Sequence, residues 1–175
     1  MKNSISLWQF FGFGVASLLG TLLHFLYEWT GENKVAAIFS GVNESTWEHM
    51  KLLYFPLLLF AVIQSRFFKD SRSFWCVKLL GILSGLTLIP VLFYTYNGVF
   101  GKSPDFINIA IFFVSAAVSF YLEARLFQDE SFSCKAPWAA FSLILLIGSL
   151  FVLFTFKTPR IPIFKDPLTG SYGIG

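Results

Sequence analysis

The residues able to do chemistry crowd into one stretch, Gly41 to Pro56, which reads GVNESTWEHMKLLYFP. Asn43, Glu44, Ser45, Glu48, His49 and Lys51 stand there directly ahead of an apolar run. Polar groups at such a boundary cost free energy unless they find partners. Ser45-Thr-Trp-Glu48 has the spacing of a capping box, in which the Ser45 hydroxyl accepts from the Glu48 amide and the Glu48 carboxylate reaches back to the Ser45 amide. A helix therefore begins at about Thr46, with Glu44 and Glu48 at its positive end. Glu44 and His49 occupy the two positions that often hold a hydrophobic staple, so a carboxylate and an imidazole face each other instead. A hydrogen-bonded His–Glu pair on a well-capped helix explains this pattern, and so does a ligand, metal or proton site.

The second histidine, His24, ends a row of small residues, Gly12, Ala16 and Gly20, and Glu28 extends the row. Residues four apart share a helix face, and small residues let another helix approach, so His24 points into the bundle. His24, His49, Glu44 and Glu48 are candidate ligands for a divalent transition metal. Their nitrogen and oxygen donors suit zinc, manganese or iron better than calcium, and a catalytic version would keep one position open for water. Neither HExxH nor CxxC is present. Bis-imidazole haem ligation would need mid-membrane histidines, whereas both lie near the surface. Ser45 is better explained as a cap than as a nucleophile. The wider candidate ligand set adds Glu28, Asn43, Ser45, Lys51, Arg160 and Asp166.

Composition says what must position these groups. The 175 residues are 55% hydrophobic and 13% charged, with 23 phenylalanines, against about 25% charge in globular chains. Too much apolar surface is present for a soluble domain of this length. The expected fold is an all-α membrane protein of about five transmembrane helices, over roughly Leu7–Tyr27, Thr46–Phe68, Phe74–Tyr96, Asp105–Phe127 and Ala136–Phe156. Each approaches the ~20 residues that cross a bilayer core. Met1-Lys-Asn ahead of an apolar run resembles a signal peptide, but no convincing cleavage site follows, so the run is read as a retained helix. Pro56 and Pro90 fall inside helices and are expected to kink them. Gly81 and Gly85 form a GxxxG face, and Asn108, Ser115, Ser119 and Glu123 make a polar seam. Cys76 and Cys134 lie at membrane edges. The net charge of +3 is too small to suggest nucleic acid, which leaves the lipid bilayer, a membrane-protein partner or a second copy as partners.

Residues 157–175, KTPRIPIFKDPLTGSYGIG, differ from the 1–156 bundle. Pro159, Pro162 and Pro167 forbid a helix, yet Ile161, Ile163, Phe164, Leu168 and Tyr172 are too apolar for a free tail. An ordered extended strap across the bundle end is expected, with Arg160 and Asp166 anchoring it to the NESTWEH block. Lys and Arg residues divide almost evenly between the two faces. The dense Arg66–Lys69–Arg72 loop puts the amino terminus in the cytoplasm and the tail outside the cell membrane. Five crossings bring both histidines, Glu28, Glu44, Glu48, Asp105 and the tail to one face.

HFLYEWTG (His24 to Gly31), VNESTWEHMKL (Val42 to Leu52) and PRIPIFKDPLTGSYGI (Pro159 to Ile174) together resemble a family of small, uncharacterised prokaryotic multi-pass membrane proteins. The resemblance runs nearly the whole chain and implies that the three blocks belong together, while supplying no activity. The residues themselves leave a metal-dependent membrane enzyme, a solute transporter and an assembly scaffold as distinct outcomes.

Overall fold

The computed structural model describes residues 2–68 and 73–174. Lys69 and Arg72, which carried part of the charge argument, lie outside them. The chain folds as α1 (Lys2–Trp29), a short α2 (Lys34–Ala37), α3 (Thr46–Ser65), α4 (Phe74–Phe100), α5 (Asp105–Gln128), α6 (Pro137–Phe156) and a 3-10 turn at Pro162–Phe164. Five of the helices are long and apolar enough to cross a membrane. The expected all-α bundle is therefore the one observed, although α1 and α4 run several residues beyond the expected ends. Pro56 and Pro90 both lie inside continuous helices.

α3 is the central helix, in contact with α1, α4, α5, α6 and the tail turn. Its Leu52, Leu53, Tyr54, Leu57 and Phe60 are buried in the main core. α1 lies along both α3 and α5 by way of its small residues. A side chain added at Gly12 would strike Phe60 and Phe120, and one added at Gly20 would strike Phe112 and the Leu52 backbone. The small-residue face thus serves two neighbours rather than α3 alone. α4 and α5 approach in the same manner, with Gly81 against Glu123 and Gly85 against Ser119. Bare glycine backbone admits the polar seam of α5 without opening a gap.

The tail is ordered, as its apolar content requires. Phe164 is buried and packs on Trp47 and Phe154, while Trp47 also stacks against Phe151. Lys165 and Tyr172 form an isolated antiparallel bridge. The anchors differ from those expected. Asp166 is buried but turned into its own loop, accepting from the Leu168 and Thr169 amides and the Thr169 hydroxyl. Arg160 is exposed and enters no hydrogen bond or ion pair among the described residues. The polar tie to the NESTWEH block is Asn43, whose Nδ2 donates to the Gly173 carbonyl at 3.1 Å. A chain carbonyl held by a side-chain amide leaves no charge to be compensated, which an Arg160 or Asp166 anchor would have required.

Candidate functional site

The last turns of α1 are stitched to the α2 segment by Ser40. Its buried hydroxyl accepts from the Tyr27 amide at 2.9 Å and donates to the Leu23 carbonyl at 2.5 Å. The hydroxyl is thus inserted into the helix ladder beside His24, fixing the turn that carries the imidazole. On the facing helix the cap forms at Ser45, whose hydroxyl accepts from the Glu48 amide. The second half of the capping box is altered. Asn43 Oδ1 takes the Ser45 amide at 2.9 Å, and the Glu48 carboxylate instead accepts from the Val42 amide at 3.2 Å.

These local bonds separate Glu44 from Glu48. Glu48 is buried and pairs with Lys51 at 2.5 Å. Lys51, fully buried, also donates to the Ala37 carbonyl at 2.9 Å and to Thr155 Oγ1 at 3.0 Å. Its three protons have three acceptors, so Lys51 and Glu48 form a closed structural node joining α2, α3 and α6. Neither faces an open site. Glu48, expected among the metal ligands, is held away from the imidazoles by this pair.

Glu44 stays open. Its Oε1 lies 3.5 Å from His24 Nε2 and its Oε2 lies 3.5 Å from His49 Nε2, with all three side chains between 20% and 39% exposed. The expected carboxylate–imidazole contact at the staple positions is present, and His24 joins it. Ligand atoms of His24, Glu44 and His49 lie within 4.8 Å of one another. Interaction with the His24 imidazole holds the Glu44 carboxyl below the ordinary carboxylate range, helped by the His49 charge and opposed by partial burial. His49 Nδ1 lies 3.0 Å from the Ser45 carbonyl. A carbonyl can only accept, so Nδ1 carries hydrogen and, in the neutral ring, Nε2 presents a lone pair to Glu44. Two acceptors facing each other call for a proton or a cation between them. A tetrahedral zinc ion with bonds of about 2.0–2.1 Å sets its ligand atoms about 3.4 Å apart; the two 3.5 Å separations are made by different Glu44 oxygens, so one atom from each residue would have to draw in from within 4.8 Å. The Ser45 carbonyl on the opposite ring nitrogen is the orienting partner that metal-bound histidines commonly have.

The cluster borders a cavity of about 430 Å³ between α1, α3 and α5, which Asp105, Asn108 and Leu168 also line. Ser103 Oγ donates to Asn108 Oδ1 at 2.7 Å and receives from Asn97 Nδ2 at 3.2 Å, tying the α4–α5 turn beside the opening. Of the wider expected set, Glu28 is exposed one turn beyond His24. Asn43 and Ser45 serve the backbone, and Arg160 is exposed. Asn108 was legible as the start of the α5 polar seam, and Asp105 as a member of the shared face. Glu123 was legible as the end of that seam, but nothing local in the sequence marks its partner Lys78, near the start of α4, with which it forms a buried ion pair at 2.5 Å.

Five spanning helices around a buried core define a multi-pass helical membrane protein. The chain belongs to a family of unknown function (DUF6512), whose model matches residues 1–174. No curated protein and no solved structure matches it.

Proposed function

We propose that His24, Glu44 and His49 hold a divalent transition metal ion at the tail end of the bundle, with an open coordination position turned toward the adjoining cavity. The observation that carries this reading is the convergence of three ligand atoms within 4.8 Å at the cavity wall. Three protein ligands plus an open position is the arrangement of catalytic rather than structural zinc sites. A metal there would act as a Lewis acid or lower the pKa of a bound water, so the reading is a membrane-embedded, metal-dependent enzyme. The Lys51–Glu48 node and the tail supply the rigid surround such a site needs.

Elemental analysis of purified protein tests this, with wild type beside His24→Ala and His49→Ala. The expected result is a near-stoichiometric transition metal in wild type, lost in both variants while the helical circular dichroism persists. Metal-free wild type that keeps its fold after chelation would leave Glu44 as a hydrogen-bonding bridge between two imidazoles and nothing more.

A further inference from the structure

The cavity beside the cluster is graded along the helix axes. Its polar rung consists of His24, Glu44, His49, Asp105 and Asn108. Its inner rung is formed by Gly20 and Thr21 of α1 with Ile109, Phe112 and Phe113 of α5, while Phe25, one residue past His24 toward the tail end, flanks the polar rung. Thr21 donates its hydroxyl to the Ser17 carbonyl, leaving its methyl group for contact. From Asp105 to Phe113 the α5 wall descends about 12 Å, at ~1.5 Å per residue. Farther in, the two helices close on each other where Gly12 meets Phe120.

The inner rung is open sideways. Ile109 and Phe113 are 57% and 37% exposed, and both lie on a helix suited to span the membrane. Exposure at that depth faces hydrocarbon, not water. The cavity volume of about 430 Å³ falls within the ~300–1,000 Å³ of ligand sites. A water-soluble ligand would use the polar rung and leave the apolar groove below it unfilled. An amphiphile arriving from the bilayer matches both rungs in the orientation it already has.

We infer that one bilayer phospholipid enters laterally between α1 and α5, its acyl chain on the Ile109–Phe113 wall and its phosphate at the His24–Glu44–His49 cluster. The headgroup half rests on the metal reading above. With a divalent ion in place, Glu44 and Asp105 offset its charge, and Lys102, which lines the adjoining cavity, is offset by Asp166, whose charge reaches His49. The ion itself, not a surplus of charge, would hold the phosphate. The acyl half rests on the groove alone.

The test uses zinc-loaded, detergent-solubilised full-length protein titrated with phosphatidylglycerol, phosphatidylcholine or glycerol phosphate and read by native mass spectrometry. Ile109→Trp and Thr21→Trp fill the groove from its lipid-exposed side on two separate helices, leaving the cluster intact. Wild type is expected to retain phosphatidylglycerol and phosphatidylcholine over glycerol phosphate. Both variants should weaken that retention about tenfold or more, since each methylene denied burial costs a few-fold, with zinc content unchanged. Unaltered retention in both variants overturns the groove. Glycerol phosphate binding as tightly as the lipids overturns the bilayer source. Wild type that takes no zinc yet retains phosphatidylglycerol, lost in both variants, overturns the metal reading alone and supports the groove.

Discussion

At the amino-terminal end of the bundle, Lys78 and Glu123 meet at 2.5 Å with both side chains 1% exposed. The Phe60, Phe74, Phe120 and Phe127 rings surround the ammonium. At the tail end, Glu44 stands 3.5 Å from each of two half-exposed imidazoles, beside a cavity. The first pair is neutralised and closed by aromatic packing; Glu123 Oε1 is buried without a hydrogen-bond partner among the described residues, yet neither residue lines the cavities at the tail end. The second has more acceptor capacity than its neighbours satisfy, and it has an opening. Intramembrane charge alone marks both ends as functional candidates; access, not unpaired acceptors, separates a structural pair from a site. The same contrast recurs within one turn of α3, where Glu48 is consumed by Lys51 and Glu44 is not.

The two ends also have to face different compartments, and the indicators disagree about which. By the positive-inside tendency, the short, dense positive charge around Arg66 argues for a cytoplasmic amino-terminal end. At that same end Cys76 and Cys134 form a disulfide with a Cα–Cα distance of 6.1 Å, within the ordinary range of ~4.4–6.8 Å, and disulfides persist in oxidising compartments. The largest effect predicted is therefore all-or-none. Glu32 and Ser133 are exposed, one at each end. Glu32→Cys and Ser133→Cys are each placed in a chain lacking Cys76 and Cys134, then treated in intact cells with a membrane-impermeant thiol reagent. Because the basic loop is short and adjoins the helix ends, label is expected at position 32 alone, with the native cysteines reduced in the cell. Label at position 133 alone would invert the molecule and side with the disulfide. Label at both would break the five-span topology.

Next in size is the closed pair. Removing one partner leaves the other charged and buried, so Lys78→Met is expected to cost about 3–5 kcal/mol of stability, read as a lowered melting temperature in detergent. Lys78→Met combined with Glu123→Leu should recover most of it, because apolar replacement of both members is often neutral or better. His24→Ala at the open end should cost less than about 1 kcal/mol, as a half-exposed pair contributes little. A His24→Ala loss as large as that of Lys78→Met would abolish the distinction between the two ends.

What the sequence could and could not announce follows from the same distinction. Apolar runs near 20 residues, the Ser45 cap and the apolar tail are local signals, and all of them correspond to structure. The meeting of Glu44 with His49 was legible from helix geometry, since positions flanking a capped turn are neighbours whatever the fold. The position of His24 followed from the small residues behind it. The structural partners of Lys51 are not legible locally because its acceptors, Ala37 and Thr155, come from other elements. The Lys78–Glu123 pair joins residues 45 apart, and Asn43 holds a carbonyl 130 positions away. Pairing across helices depends on their order around the bundle, which hydropathy does not encode. Asp166 differs for another reason: Asp-Pro-Leu-Thr-Gly has turn chemistry, and both carboxylate oxygens are engaged within that turn by the Leu168 amide and the Thr169 amide and hydroxyl.

The smallest effect predicted tests whether the open end is held together by charge when no metal is present. Contact with His24 depresses the Glu44 carboxyl, the His49 charge adds to the depression and partial burial opposes it. A carboxyl depressed by folding binds its proton less readily in the native state than in the unfolded chain. Its stabilising contribution is therefore fully present above the ordinary carboxylate range and is lost as pH falls through the lower, folded value. With side chains 36% and 39% exposed at the His24–Glu44 contact, solvent screening keeps that contribution below about 1 kcal/mol. In chelated protein, wild type should melt slightly above Glu44→Gln at neutral pH, and the two curves should converge in acid as the carboxylate is protonated. Divergence growing toward acid would reverse the sign and show that Glu44 is raised, not lowered, by its neighbours. A metal would steepen the same trend, since acid protonates all three ligands and releases the ion. Repeating the melts with zinc therefore separates a carboxylate that merely bridges two imidazoles from one that coordinates.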